Sequence, residues 1–133
     1  FDAYASVGYT DSEIKEYARV PSDVGNWAPY VPKYTFNIGA QYRTSLTDSF
    51  GLFTRADFEK RGKQYWDPEN STARDALDLL KLRLGIESAS DTWSLIGTVD
   101  NALDEEYNSE WVGGGFAHIA PPRTWRIDFS YNF

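Results

Sequence analysis

The chain contains neither cysteine nor methionine. The first absence excludes a disulfide framework, a thiolate metal site and a cysteine nucleophile. The second leads us to expect that a chain beginning at Phe1 is a processed or excised piece of a longer product, and no signal-peptide pattern occurs within it. Long apolar runs are missing too: the longest is Ala3-Tyr4-Ala5, and the mean hydropathy is -0.54. A membrane-spanning helix needs about 20 largely apolar residues in succession, so none is encoded here. That shortage does not bear on a transmembrane barrel, whose strands alternate lipid-facing with lumen-facing residues and look polar on average. Positive charge is also scarce. Thirteen basic against twenty acidic residues give a formal charge of -7, the wrong sign for a surface that tracks phosphates, so no nucleic-acid partner is expected.

What the sequence does contain is alternation. A chain of 133 residues suits one domain, and six segments repeat with period two, the pattern of strands rather than helices. In Thr124 to Phe133, the residues Trp125, Ile127, Phe129, Tyr131 and Phe133 share one face. In Asp78 to Ser88, the residues Leu80, Leu82, Leu84 and Ile86 oppose Lys81, Arg83 and Glu87. A helix would mix these groups, whereas a strand separates them. The same reading places strands at Thr92 to Asn101, Gly51 to Lys63, Tyr34 to Arg43 and, more weakly marked, Asp2 to Thr10.

The connections alternate as well. Leu46 to Phe50 and Ala89 to Asp91 are tight polar turns, whereas Ile14 to Lys33, Gln64 to Leu77 and Ala102 to Pro122 are long. An antiparallel up-and-down meander follows, with short turns at one end and long loops at the other, the asymmetry of outer-membrane barrels. Tyr34, Tyr65, Trp66 and Trp125 fall at the long-loop ends. Tyr42, Phe50, Trp93, Tyr131 and Phe133 fall near the short turns. Two belts of amphipathic rings suit two membrane interfaces, although ordinary core aromatics would follow the same spacing. Six strands are fewer than the eight of the smallest such barrels, and a bilayer tolerates no open edge. The fold expected is therefore all-β: about six antiparallel strands, forming the C-terminal part of a larger barrel.

Three stretches narrow this further: Gly25 to Tyr42 with Pro29 and Pro32; Val99 to Asn108 with Asn101, Asp104 and Tyr107; and Pro121 to Phe133 with Arg123. In order and spacing they resemble the C-terminal end of TonB-dependent outer-membrane receptors, with Ala102-Leu103 departing from the family's usual leucine-aromatic pair. The resemblance covers essentially the whole chain. It implies a bacterial outer-membrane barrel of about 22 strands, of which residues 1–133 would be the last part, with the plug domain and the earlier strands absent. It implies active uptake of a scarce ligand such as an iron-siderophore complex. The implied partners are outer-membrane lipid, the receptor's own plug domain, the TonB energy-coupling complex reached through the absent N-terminal part, the barrel-assembly machinery and a small-molecule ligand. Phe129, Tyr131 and Phe133 would form the C-terminal signal read during barrel assembly.

Candidate chemistry is sparse. Asp100, Asp104, Glu105, Glu106 and Glu110 cluster in one loop without calcium-loop spacing, which suits a solvated acidic loop. His118 is the only histidine and has no placed partner for a metal or a nucleophile. The glycines Gly113 to Gly115 precede no lysine, so they form no phosphate cradle. Trp66, Trp111, Phe116 and His118 are the loop residues expected to touch a ligand, or else to pack at the belt and surface. Asp57 and Glu59 share a face, but their spacing matches a glycosidase pair only by coincidence. Neither an enzyme nor a cofactor is expected. The alternative class is a soluble all-β carbohydrate-binding module presenting Trp66, Trp111 and Trp125. The two classes predict opposite surroundings for Leu82, Ile127 and Phe129. Spin labels there in the intact parent protein will report lipid contact if the chain is a barrel wall, and a buried protein core if it is a binding module.

Overall fold

The computed structural model describes residues 1–133. Ten strands occur in chain order: β1 (Asp2–Tyr9), β2 (Tyr34–Ser45), β3 (Phe50–Arg61), β4 (Gln64–Tyr65), β5 (Ala73–Arg74), β6 (Leu77–Ser88), β7 (Trp93–Asp100), β8 (Asn108–Val112), β9 (Phe116–Ile119) and β10 (Thr124–Tyr131). Six of them form one antiparallel sheet in the order β1-β2-β3-β6-β7-β10. Sheet neighbours follow one another along the chain, so this is the expected meander. The four short strands were not anticipated. They make two small hairpins, β4-β5 and β8-β9, inside long connections expected to be plain loops.

Register keeps the two faces apart. Ala40, Ala56, Leu82, Val99 and Trp125 lie in one row across the sheet, and Tyr42, Thr54, Leu84, Gly97 and Ile127 in the next row on the same face. The opposite face carries Gln41, Arg55, Arg83, Thr98 and Arg126 in register. A slip of one residue would exchange every side chain between the faces.

The tight turns are closed by local bonds. Thr47 Oγ1 accepts from the amides of Ser49 and Phe50 at 3.2 and 3.1 Å, ending β2 and starting β3. Between β6 and β7, Asp91 takes a positive φ of 55° and its amide donates to the Ser88 carbonyl at 3.0 Å. Asn132 ties the end of the chain to this turn, donating from its amide to Thr92 O and from its side chain to Asp91 O.

The long connections fold together at the other end. Asn70 clasps the β1–β2 connection by accepting from the Trp27 amide and donating to the Trp27 carbonyl, both at 2.8 Å. Tyr30 joins all three connections. Its amide donates to Tyr65 O, its ring meets Trp66 edge-on at 5.4 Å, and its hydroxyl donates to Trp111 O at 2.6 Å. Tyr30 takes a φ of 64°, a conformation a bulky residue holds only when its surroundings fix it. Buried residues gather here: Asp23, Gln64, Trp66, Arg74, Leu77 and Ala120. The sheet contributes others, among them Phe53 and Thr98 on the polar face.

One glycine is required by close approach. The Tyr4 ring lies across Gly39, and its hydroxyl donates to Asp57 at 2.9 Å. A Cβ at position 39 would overlap that ring and come within 2.7 Å of Asp57 Oδ1. At Gly97 an added Cβ would meet only Leu84 O at 3.7 Å. We therefore expect Gly39→Leu in the full-length protein to lose about 1–3 kcal/mol through forced repacking. Gly97→Ala should lie within about 0.5 kcal/mol of the parent. Urea unfolding monitored by heat-dependent gel migration checks both.

Candidate functional site

The apolar face has no protein against it. Leu84 is 62% exposed, Phe129 64% and Ile127 77%. Fully burying one such side chain is worth about 1.5–3 kcal/mol, so a whole face of them is not left to water. Near the short turns Phe50 stacks obliquely on Trp93 at 5.8 Å, and Tyr131 meets Phe133 edge-on at 5.2 Å. At the opposite end of the face lie Tyr9, Phe36, Phe58 and Trp125. Between these two belts the smaller Ala40, Ala56 and Gly97 leave a shallow apolar trough of about 830 Å³, flanked by Tyr42, Leu84 and Ile127. Just beyond the apolar band Lys60 and Asp78, directly opposite in register, pair at 2.7 Å. Two aromatic belts around an apolar band are the lipid-facing signature of a transmembrane barrel.

The polar face is a network of ion pairs. Arg55 grips Asp57 at 2.8 Å, Arg61 meets Glu59 at 2.6 Å, and Arg126 meets Asp128 at 2.9 Å, each pair two residues apart on one strand. Opposite charges can also pair across a ladder where register brings them together. Register explains the difference: Arg55 stands opposite Gln41 on one side and the like-charged Arg83 on the other, so its carboxylate must come from its own strand. Lys81 and Asp100 link neighbouring strands at 2.6 Å, and Arg43 reaches past Phe53 to Glu87 at 3.2 Å. Asp57 and Glu59 are thus each held by an arginine, not arranged as an acid-base pair.

The loop residues expected to touch a ligand do not converge. Trp66 is only 5% exposed, packed against Tyr30 with Arg74 over its ring, so it offers no open stacking surface. Trp111, Phe116 and His118 all lie on the β8-β9 hairpin. Phe116 stands opposite Val112 and is 71% exposed, while Trp111 stands opposite Ala117 on the other hairpin face. His118 Nδ1 lies 2.9 Å from Glu110. The signal for this hairpin was present in the sequence, since glycines flanked by apolar residues favour a tight turn, and Gly114 and Gly115 take φ of 109° and 92°.

Two of the motif stretches meet physically, which spacing along the sequence did not show. Asn101 takes a φ of 51°, its Oδ1 accepts from the Glu105 amide and its Nδ2 donates to the Glu105 carbonyl, all within one turn. Asp104 accepts from the amide of Arg123 at 3.1 Å and from its guanidinium at 2.9 Å. The two ends of the β7–β10 connection are therefore clamped where it leaves and re-enters the sheet.

This geometry defines the class: an outward apolar band, an inward charged face, short turns at one rim and a packed loop cap at the other describe a wall segment of a transmembrane β-barrel. The comparisons agree. Residues 1–102 match the family described as TonB dependent receptor-like, beta-barrel. Among solved structures, BauA, the ferric preacinetobactin receptor from Acinetobacter baumannii, superposes with a TM-score of 0.85 at 21% identity. That match covers 98% of this chain and 20% of BauA. The chain belongs to the TonB-dependent receptor β-barrel family, and it spans about one fifth of the length of the receptor it matches. Its place is the bacterial outer membrane, and the family is one of receptors rather than enzymes.

In the cap, Asp67 closes the β4-β5 turn. Burial works against its charge, but bonds from the Thr72 hydroxyl and from the Ser71 and Thr72 amides outweigh that and hold its carboxyl below the usual carboxylate range. A depressed pKa contributes stability that is complete above the unfolded value, about 3.9, and is lost as pH falls through the folded value. Protection of the Ser71 and Thr72 amides, their exchange measured against the unstructured-chain rate at each pH, should hold at neutral pH and fall only below about pH 4. Asp67→Asn should flatten that dependence.

Proposed function

We propose that the protein to which these residues belong is an outer-membrane receptor that takes up a scarce small-molecule ligand, such as an iron-siderophore complex, using energy delivered by the TonB complex. The observation that carries this reading is the pairing of a lipid-facing apolar band with a charged inner face in a chain of the TonB-dependent receptor family. The likeness to BauA, a ferric preacinetobactin receptor, supports the choice of ligand class. The inner face suits packing against a plug domain of the same polypeptide, since its arginines and carboxylates offer hydrogen-bonding groups throughout. On this reading the 133 residues supply wall and loop cap, and the energised gate lies elsewhere in the polypeptide.

Ligand contact falls to the β8-β9 hairpin. Phe116 and His118 share one of its faces, and Trp111 provides a carbonyl anchor for Tyr30. Phe129, Tyr131 and Phe133 form the assembly signal, an exposed aromatic row on the last strand that ends in a fully exposed ring. A soluble carbohydrate-binding module fits less well. Trp66 is buried, Trp125 belongs to the outward belt, and no flat platform joins them to Trp111.

Uptake decides the matter. In cells whose only copy of the full-length gene is disrupted, accumulation of radioiron from a panel of ferric siderophores should fall at least about tenfold for one member. It should return with the intact gene and stay low when TonB is absent. Unchanged uptake across the panel, together with no siderophore binding to the purified receptor, would exclude the iron-chelate reading.

A further inference from the structure

The charged inner face pairs its groups one to one and leaves a single cation over. Of the cations on the six sheet strands, only Arg83 lacks an ion-pair partner. The carboxylates around it, Asp57, Glu87, Asp100 and Asp128, are each held by a different basic residue. Asp57, diagonal to Arg83 across the β3-β6 pair, accepts from Arg55 at 2.8 Å and from the Tyr4 hydroxyl at 2.9 Å, so its oxygens are engaged.

Register makes the surplus sharper. Arg83 stands opposite Arg55 on β3 and opposite Thr98 on β7, and Arg126 on β10 follows Thr98 in the same row. Three guanidinium side chains therefore spring from one row, where like charges repel. Arg83 itself is half-buried. Its Nε is sealed in the wall without a partner, whereas Nη1 and Nη2 make no bond within the chain and stay open at the inner surface. No movement of the wall or of the loop cap is needed to reach them. A cation so placed is at ease against water. Under a protein surface packed onto this face it is costly, unless that surface brings an anion.

We propose that Arg83 receives an aspartate or glutamate of the plug domain, gripped end-on through Nη1 and Nη2, and that this ion pair seats the plug on the β3-β6-β7 wall. The inference rests on the reading above that a plug of the same polypeptide packs against the inner face. This chain covers 20% of the BauA chain, so a receptor of that length has ample further polypeptide to supply the segment. Charge selects the occupant: a plug lysine or arginine would meet three guanidiniums, and an apolar patch would strand Arg83 without a counter-charge. The planar end of the guanidinium matches the two oxygens of one carboxylate.

The test uses the purified full-length receptor in detergent micelles, without siderophore, carrying Arg83→Lys, which keeps the charge and adds an amine. A carbodiimide joins an amine to a carboxylate in contact with it, leaving no spacer, and peptide mass spectrometry identifies the joined pair. Reagent is raised until Lys81 couples to Asp100, which lie 2.6 Å apart and calibrate its reach. The amine at position 83 should then couple to a plug carboxylate at least as fully. Coupling only to wall carboxylates such as Asp57 overturns the proposal, and so does no coupling, the result expected if a free anion occupies the site. Arg83→Gln should lower hydrogen-exchange protection of the plug segment so identified by at least about tenfold, and unchanged protection there counts equally against the pairing. Should Arg83→Gln fail to fold, the coupling result decides alone. A longer amine-to-amine linker on the Arg83→Lys receptor reports whether any plug fills the lumen. Plug-to-wall links from it without carbodiimide coupling would sink the Arg83 pairing alone, whereas the absence of both would remove the plug reading as well.

Discussion

Everything in this chain depends on the antiparallel ladder. In a hydrocarbon environment each backbone N–H and C=O must be paired within the protein, and a strand can do that only with a neighbour on either side. Register then fixes which side chains meet lipid. The rows through Ala40 and Trp125, and through Tyr42 and Ile127, stay on one face across all the intervening strands. The ion pairs, the aromatic belts and the position of the loop cap follow from that alignment. β1 and β10 each have a free edge, so the sheet continues into further strands wherever it lies in a bilayer.

The wall was legible in the sequence because a strand writes its environment at every second residue. Leu80 to Ile86 set against Lys81 to Glu87 separates two environments, and the ends of β6, β7 and β10 fall within about two residues of where alternation places them. The loop cap was less legible. Trp66 reads in sequence as a rim aromatic or a ligand platform. Its burial depends on Tyr30, far away along the chain, and on Asn70 holding the two connections together. The β8-β9 hairpin is harder to see, because strands of five and four residues are too short for alternation to stand out and Gly113 to Gly115 mark only the turn between them. Charge pairing on the inner face needed the register itself, since only register shows that Arg55 faces Arg83.

The recognisable motifs have a physical basis that explains their order. Asn101 and Asp104 shape the exit from β7, and Arg123 shapes the entry to β10. These residues close one clamp, so the separation between the two stretches is the length of whatever lies between, and the clamp isolates the sheet from it. Pro121 and Pro122, lacking amide donors, leave the ladder unpaired until Thr124. Loop content can thus vary above a fixed base, a useful arrangement for a surface that must match particular ligands.

The two tight turns have a consequence for how the wall is made. Each joins a pair of strands that are adjacent in both sequence and space, β2 with β3 and β6 with β7, and the last residues are pinned to the second turn through Asn132. Pairings this local cost little chain entropy to close. The wall can therefore be laid down as successive hairpins, each presenting an open rail for the next. The slow steps are then the three long connections, which must be carried across before the strand beyond them can join.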